Sequence, residues 1–289
     1  MNERPDILVL GGGGRQGDAW MTGMLAGLED AHGIAFAGCD HYVGTSAGAI
    51  VAAKLATGRS LRRPELKAVG AASGEPSPWP NWAVNSAMAM AAPFAGVGLR
   101  LATRPAELVR GTALGALTRE AAAAPDFRQA FAERRVRFDG RLRIVAVERE
   151  SGRRVVFGGP GAPHATVAQA LTASCALPLV FAPAVIDGRE YVDGAVWSPT
   201  NADVAPASRD AHVLILATMA SRYGPWNAAL RAATGALLLA EASALKARGA
   251  HVRIITPDRG SAASIGTDLM SDERLAETGA AGYAQGLRA

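Results

Sequence analysis

An α/β fold built around a parallel sheet is what this sequence predicts, on three observations. The first 58 residues read as strand, glycine loop, helix, strand, tight turn and helix, an alternation that fits parallel strands with helices packed across them. Two further apolar runs, Val213–Leu216 and Val252–Ile255, flank a long helical stretch. Finally, 49% of the 289 residues are hydrophobic and 19% charged, with a formal net charge of +4. That is material for a sizeable core, and it excludes a disordered chain. No internal repeat or low-complexity linker divides the sequence, so a single domain over residues 1–289 is expected.

The elements follow in order. Ile7–Leu10 is a short apolar run ending at Gly11, read as a buried strand. After Gly17, residues Trp20, Met21, Met24, Leu25 and Leu28 recur at helical spacing and stop near His32 and Gly33. His41–Val43 is a second strand ending at Gly44, and Ala47–Ala56 is an alanine-rich helix closed by Thr57 and Gly58. Residues 72–111, rich in Pro, Trp, Met and Ala, show little periodicity, and residues 105–135 read as helical. Leu142–Val147 and Val155–Phe157 are strands joined across Ser151 and Gly152 as a hairpin. A short helix over Thr166–Ala173 leads through Val180 and Phe181 to Val185–Ile186, a turn at Asp187–Gly188 and a strand at Tyr191–Val192. The strand Val213–Leu216, a helix over Pro225–Arg248, the strand Val252–Ile255 and a helix over 268–287 complete the chain.

Composition excludes several function classes. Two cysteines, Cys39 and Cys175, make neither a disulfide scaffold nor a zinc motif. Residues Met1–Asp6 carry two acids and lead straight into a strand, unlike a secretory leader, so a reducing, cytoplasmic location is expected. The densest basic cluster, Arg134, Arg135, Arg137, Arg141 and Arg143, is broken by Asp139 and lacks interleaved aromatics, which argues against nucleic acid and for a solvated edge. Weak attraction to anionic membrane surfaces stays open. Residues 76–99 are uncharged and long enough to span a bilayer, but Pro76, Pro78, Pro80 and Pro93 forbid one continuous helix. Residues 155–186, also nearly free of charge, read as core strand, loop, helix and strand.

Two segments carry chemistry. Gly44-Thr45-Ser46-Ala47-Gly48 is a G-x-S-x-G between a strand and a helix. Such a turn exposes the serine hydroxyl at a helix N-terminus, where the dipole favours developing negative charge. Gly12-Gly13-Gly14-Arg15-Gln16-Gly17 opens the first helix, and its backbone amides suit either a phosphate or an oxyanion. A dinucleotide fingerprint would need an acidic residue at the end of the second strand, where Gly44-Thr45-Ser46 stands instead. Acyl transfer fits the pair of turns better. A serine nucleophile needs a base. His212 or His251 with Asp193 is formally available, but only about two strands precede Ser46, too few for an ordinary α/β-hydrolase order. Asp193, in Tyr191-Val192-Asp193-Gly194-Ala195, is the better candidate, with Val192, Val196 and Trp197 as apolar neighbours that would raise its pKa.

The tetraglycine loop, Gly-Thr-Ser-Ala-Gly and Asp-Gly-Ala, in that order, resemble the patatin-like phospholipases. A further block, Ala173-Ser174-Cys175-Ala176-Leu177-Pro178, resembles that family's Ala-Ser-x-Ala-x-Pro segment. The blocks run from about residue 6 to 197. The resemblance implies a three-layer α/β/α fold with a mostly parallel central sheet, and lipid acyl-ester hydrolysis by a Ser–Asp dyad. It makes Ser46 the nucleophile, Asp193 the base, and the amides around Gly12, Gly13 and Gly14 the oxyanion hole. Gly44 and Gly48 become the elbow glycines, and Gly194 and Ala195 the turn that presents the base. It implies no cofactor and no metal, a lipid or acyl-ester partner, and no specific protein partner. One departure stands out: the family usually has Arg or Lys just before the last glycine of the loop, and here that residue is Gln16, with Arg15 one place earlier. Residues 72–112, with Trp79, Trp82, Met88, Met90 and Phe94, are expected to form either a lipid-facing cap or a core-packed insertion. Two rival functions remain open: an acyltransferase with the same nucleophile, and a non-catalytic lipid- or nucleotide-binding protein that keeps the glycine loop.

Overall fold

The computed structural model describes residues 3–58, 61, 123, 125–127, 136–224 and 228–289. The cap or insertion expected at 72–112 and the apolar run 76–99 lie outside the described residues, as do Arg134, Arg135 and nearly all of the helix expected over 105–135.

Among the described residues, eight strands form one mixed sheet: β1 (Ile7–Leu10), β2 (His41–Thr45), β3 (Leu142–Glu148), β4 (Arg154–Phe157), β5 (Ala184–Ile186), β6 (Arg189–Asp193), β7 (His212–Leu216) and β8 (His251–Ile255). Their order is β5-β6-β3-β2-β1-β7-β8, with β4 also paired to β3. The run β3-β2-β1-β7-β8 is parallel throughout, whereas β4 and β6 pair antiparallel with β3 and β5 antiparallel with β6. The expected mostly parallel sheet is therefore present.

Helices cover both faces. The described ones are α1 (Gly14–His32), α2 (Ala47–Ala56), α3 (Val167–Ser174), α4 (Ala228–Ala247), α5 (Arg259–Ile265) and α6 (Leu275–Gly286). Alternation along each strand sends side chains to opposite layers. Leu8 and Leu10 join the core made with α1, α2 and α3, which includes Trp20, Met24, Val51 and Leu171. Ile7 and Val9 join Val43, Val213 and Ile215 against Leu238, Ala242 and Leu245 of α4. Each fully buried leucine of that kind contributes roughly 1.5–3 kcal/mol. The α6 helix packs along α1, tied by Trp20 Nε1–H donating to Gln285 Oε1 at 3.1 Å.

Some boundaries differ from expectation for tertiary reasons. The α1 helix starts at Gly14 rather than after Gly17, because Gln16 N–H and Nε2–H are held by the Leu269 and Ser271 carbonyls, at 3.0 and 2.8 Å. The helix expected over 268–287 begins only at Leu275, and α5 precedes it. The latter is capped by Asp258, whose carboxylate accepts from Ser261 N–H at 2.8 Å. With seven residues it is too short to show an apolar period. By length and composition α4 could cross a membrane, yet one face, including Leu230, Leu237 and the carboxylate of Glu241, is buried.

Candidate active site

Sheet register brings Ser46 and Asp193 together across more than 140 residues of sequence. One edge of β3 is occupied by β4 along Ile144–Val147. The other edge is shared end to end: β2 pairs with Leu142–Val145, so that Thr45 lies opposite Val145, and β6 takes over at Ala146, opposite Asp193. Ser46 leaves β2 where Asp193 ends β6.

Ser46 has φ 53° and ψ −121°, a left-handed conformation unusual for a residue with a side chain. Such a backbone costs on the order of 1–3 kcal/mol. It lifts the side chain out of the strand, and the Ser46 carbonyl accepts from Ala49 N–H at 2.9 Å as α2 begins. The residue is half-buried. Both elbow glycines are required by close approach: a side-chain carbon at Gly44 would stand 2.4 Å from Ala49 Cα, and one at Gly48 only 2.0 Å from the Leu10 carbonyl.

Asp193 is 2% exposed. Its Oδ1 accepts from Ala195 N–H at 2.8 Å, and the Ser46 hydroxyl lies near enough to its carboxyl to favour the charged form. Burial pushes its pKa up to about 7, and the Ala195 amide and Ser46 hydroxyl only partly offset that. The apolar neighbours expected from the sequence are present as a cluster of Val147, Val192, Val196 and Trp197.

The segment Ser174–Ala176, at the end of α3, touches both residues. Ser174 Oγ accepts from Ser46 N–H at 2.9 Å and donates to the Val145 carbonyl at 2.7 Å. The Ala176 carbonyl accepts from Asp193 N–H at 2.9 Å. Between them the Cys175 side chain lies beside Ser46. Burial, helped by the Asp193 charge, pushes its thiol well above the ordinary cysteine range and keeps it neutral. The Ala-Ser-x-Ala block thus has a physical role that the sequence alone did not reveal.

The glycine loop runs beside the serine. A side-chain carbon at Gly12 would stand 3.5 Å from Ser46 Cβ. The amide of Gly12 is already committed, donating to the Pro199 carbonyl at 2.8 Å, which removes it as a free donor. The Gly13 and Gly14 amides have no partner among the described residues. They stand at the N-terminus of α1, which has no side-chain cap and no acidic residue in its first turn.

Other sequence candidates fall elsewhere. His212 and His251 stack on each other, with ring centroids 4.9 Å apart, where β7 and β8 begin. Ser46 follows the opposite, carboxyl end of the parallel strands, about 16 Å away at the usual rise per residue. Gln16 is fully buried: its Nε2 donates to the Ser271 carbonyl, and its Oε1 accepts from Thr278 Oγ1 at 2.6 Å. Arg15 is ion-paired with Asp272. No cluster of three or more His, Cys, Asp or Glu suited to a metal occurs among the described residues.

Fold and site together define an α/β protein with its polar residues gathered at the carboxyl ends of central strands. Residues 8–206 match the family model for patatin-like phospholipase, and the chain belongs to that family. No curated protein matches the sequence. Among solved structures, the chain is similar to VipD from Legionella pneumophila, with a TM-score of 0.48 and 15% identity over 99% of this chain and 66% of VipD. It is also similar to the type III effector protein ExoU, with a TM-score of 0.38 and 18% identity over 98% of this chain and 52% of ExoU. The chain thus spans just under two thirds of the first and about half of the second.

Proposed function

We propose that the protein hydrolyses lipid acyl esters with Ser46 as nucleophile and Asp193 as its general base. The observation that carries this reading is the placement of a strained, half-buried serine beside a buried carboxyl where β2 and β6 end together on β3, with the carboxyl's pKa raised to about 7. A base poised near the working pH is the efficient choice for such a step.

The Asp193 carboxylate takes the Ser46 proton as Oγ attacks the ester carbonyl. The tetrahedral oxyanion forms beside the α1 N-terminus, where the Gly13 and Gly14 amides donate to it. A donor so placed is worth about 3–4 kcal/mol in other enzymes. The protonated Asp193 returns its proton to the leaving alcohol, which departs and leaves an acyl-Ser46. Water, deprotonated by Asp193, attacks that ester, and the same steps in reverse release the fatty acid and restore the serine. The neutral Cys175 thiol beside Ser46 adds no competing charge. A peripheral contact with a lipid surface belongs to the same reading, since the substrate is carried there.

A fluorophosphonate probe tests this directly. One covalent adduct on Ser46, lost in Ser46→Ala together with turnover of a short-chain ester, is the expected result. Labelling elsewhere, or retained turnover in the folded variant, rejects it. Transfer of the acyl group to an added alcohol in preference to water would make the protein an acyltransferase with the same nucleophile.

A further inference from the structure

The two strands that carry the site residues are not paired with each other. The end of β2 and the end of β6 meet only through their shared neighbour β3. On the α3 face the Ser174–Ala176 segment bridges them. On the α4 face one side chain does so: the two hydrogens of Asn201 Nδ2 are shared among Thr45 Oγ1 at 3.1 Å, the Gly194 carbonyl at 3.2 Å and the Ser198 carbonyl at 2.5 Å. Thr45 immediately precedes Ser46, and Gly194 immediately follows Asp193.

We propose that Asn201 is a positioning residue that sets the approach of Ser46 to Asp193 by tying the residue before the nucleophile to the residue after the base. The inference rests on the Ser46–Asp193 reading above and deepens it.

The side chain is built for the task. Asn201 is fully buried, and its backbone is left-handed at φ 49°, a conformation asparagine tolerates better than most residues. Its orientation is fixed by chemistry. Oδ1 accepts from Arg154 Nη1 at 3.2 Å, and a guanidinium only donates. Nδ2 faces two carbonyls, which only accept. Rotating the amide would set oxygen against carbonyl oxygen. Arg154 is itself anchored by a two-armed pair with Asp203, at 2.7 and 2.6 Å. The loop around Asn201 is pinned to α4 by Glu241 Oε2, which accepts from Thr200 Oγ1 at 2.6 Å and Ala202 N–H at 2.8 Å. A donor held this firmly transmits position rather than merely filling space.

Three variants test the role: Asn201→Ala, Thr45→Val, which removes only the hydroxyl that Asn201 reaches, and the double variant. Rates are measured on a soluble short-chain ester and expressed per folded molecule by near-UV circular dichroism. Asn201→Ala is expected to lower kcat about 10–100-fold with KM within about twofold, the signature of a misplaced reacting pair. The acid limb of its pH profile should move to higher pH, because the Ser46 hydroxyl no longer helps hold down the Asp193 carboxyl. Thr45→Val should lower kcat less, and the double variant should be no worse than Asn201→Ala, since both remove one link. Wild-type kcat and an unmoved profile in folded Asn201→Ala overturn the proposal even if the melting temperature falls, and so does strict additivity in the double variant. If Asn201→Ala does not fold, Thr45→Val decides alone: a lowered kcat supports the link and a wild-type kcat rejects it. Absence of fluorophosphonate labelling in the unmodified protein would instead defeat the Ser46 reading itself, before any variant is made.

Discussion

Gly13 and Ser46 hold corresponding places in two adjacent strand-to-helix turns, each the residue just before its helix. The β1–α1 turn is made of backbone alone. Gly14 takes the left-handed conformation at φ 61°, and the turn leaves amides facing outward. The β2–α2 turn puts a side chain at the left-handed position and holds its amide to Ser174. One turn offers donors without side chains, and the other offers a side chain with its own donor already used. The residue that keeps its strain is the one that carries a hydroxyl. Everywhere else in the pair of turns glycine removes it.

The largest expected effect breaks that contrast by making the second turn resemble the first. Ser46→Gly and Ser46→Ala should each lower short-chain ester turnover by about 10³-fold or more. They should differ in stability. Glycine releases the strained backbone, whereas alanine keeps it. After the entropy that glycine loses on folding, Ser46→Gly should exceed Ser46→Ala by on the order of 1 kcal/mol in urea melts. Equal stability of the two variants would remove the strain argument.

Asp193→Asn should be nearly as damaging to turnover, and its stability should depend on pH in a direction set by the raised pKa. The native carboxyl holds its proton up to about 7, while in the unfolded chain it ionises near 4. Between those values unfolding releases a proton, so rising pH favours the unfolded state, and above about 7 the full cost of a buried charge remains. Asp193→Asn should therefore melt higher than the wild type at pH 8 and gain little at pH 4. Wild-type turnover should rise with pH through about 7, as the base ionises. A melting difference independent of pH, or turnover that falls over that range, would contradict this account.

A smaller effect is expected from altering the first turn. A side-chain carbon at Gly14 would stand 2.6 Å from the Leu269 carbonyl, and the backbone there is left-handed. Gly14→Ala should cost about 1–3 kcal/mol of stability and lower kcat more than it raises KM, because a shifted amide weakens only the bond to the oxyanion. A rise in KM alone would assign the loop to substrate binding instead.

These turns were the most legible part of the chain, and the reason is local. Ile7–Leu10, Gly44–Gly48 and Ala47–Ala56 carry their signals within a few residues, and the structure places elements at those bounds. Asp193 was legible through its Asp-Gly-Ala turn, and the Asp187–Gly188 turn beside it joins β5 to β6 with both residues at positive φ. Ser174 and Asn201 were not assigned roles from the sequence. Their partners lie 128 and 156 residues away, and nothing in Ser198-Pro199-Thr200-Asn201 announces a bridge to Thr45. The late start of α6 was missed for the same reason, since distant contacts to Gln16 bear on it, whereas α5, capped locally by Asp258, is too short to show an apolar period. The Gly12 amide looked as available as its neighbours until Pro199 was seen to occupy it.

Gln16 sharpens the comparison most finely, because it stands where the family usually carries a positive charge in the first turn. A charge there could serve an anionic head group, and its loss would then weaken binding of such lipids. The structure gives Gln16 other work: it is fully buried, with its amide hydrogen-bonded to Ser271 and Thr278 across to the segment before α6 and into α6 itself. Those bonds hold the start of α1, and so the Gly13 and Gly14 amides, against the C-terminal segment. Gln16→Leu keeps the volume but removes both bonds, leaving the Ser271 carbonyl and Thr278 hydroxyl unpaired. It should therefore lower stability by about 1–3 kcal/mol. Because the same bonds hold the Gly13 and Gly14 amides, it should also lower ester turnover, by equal factors for vesicles of anionic and zwitterionic lipid, since the side chain does not reach a head group. Gln16→Lys, which returns the family's charge, should destabilise further, because the site offers one carbonyl and one hydroxyl to an ammonium taken out of water. A gain in activity on anionic vesicles with no loss of stability in Gln16→Lys would show instead that the first turn opens to the substrate, and that backbone amides are not its only contribution.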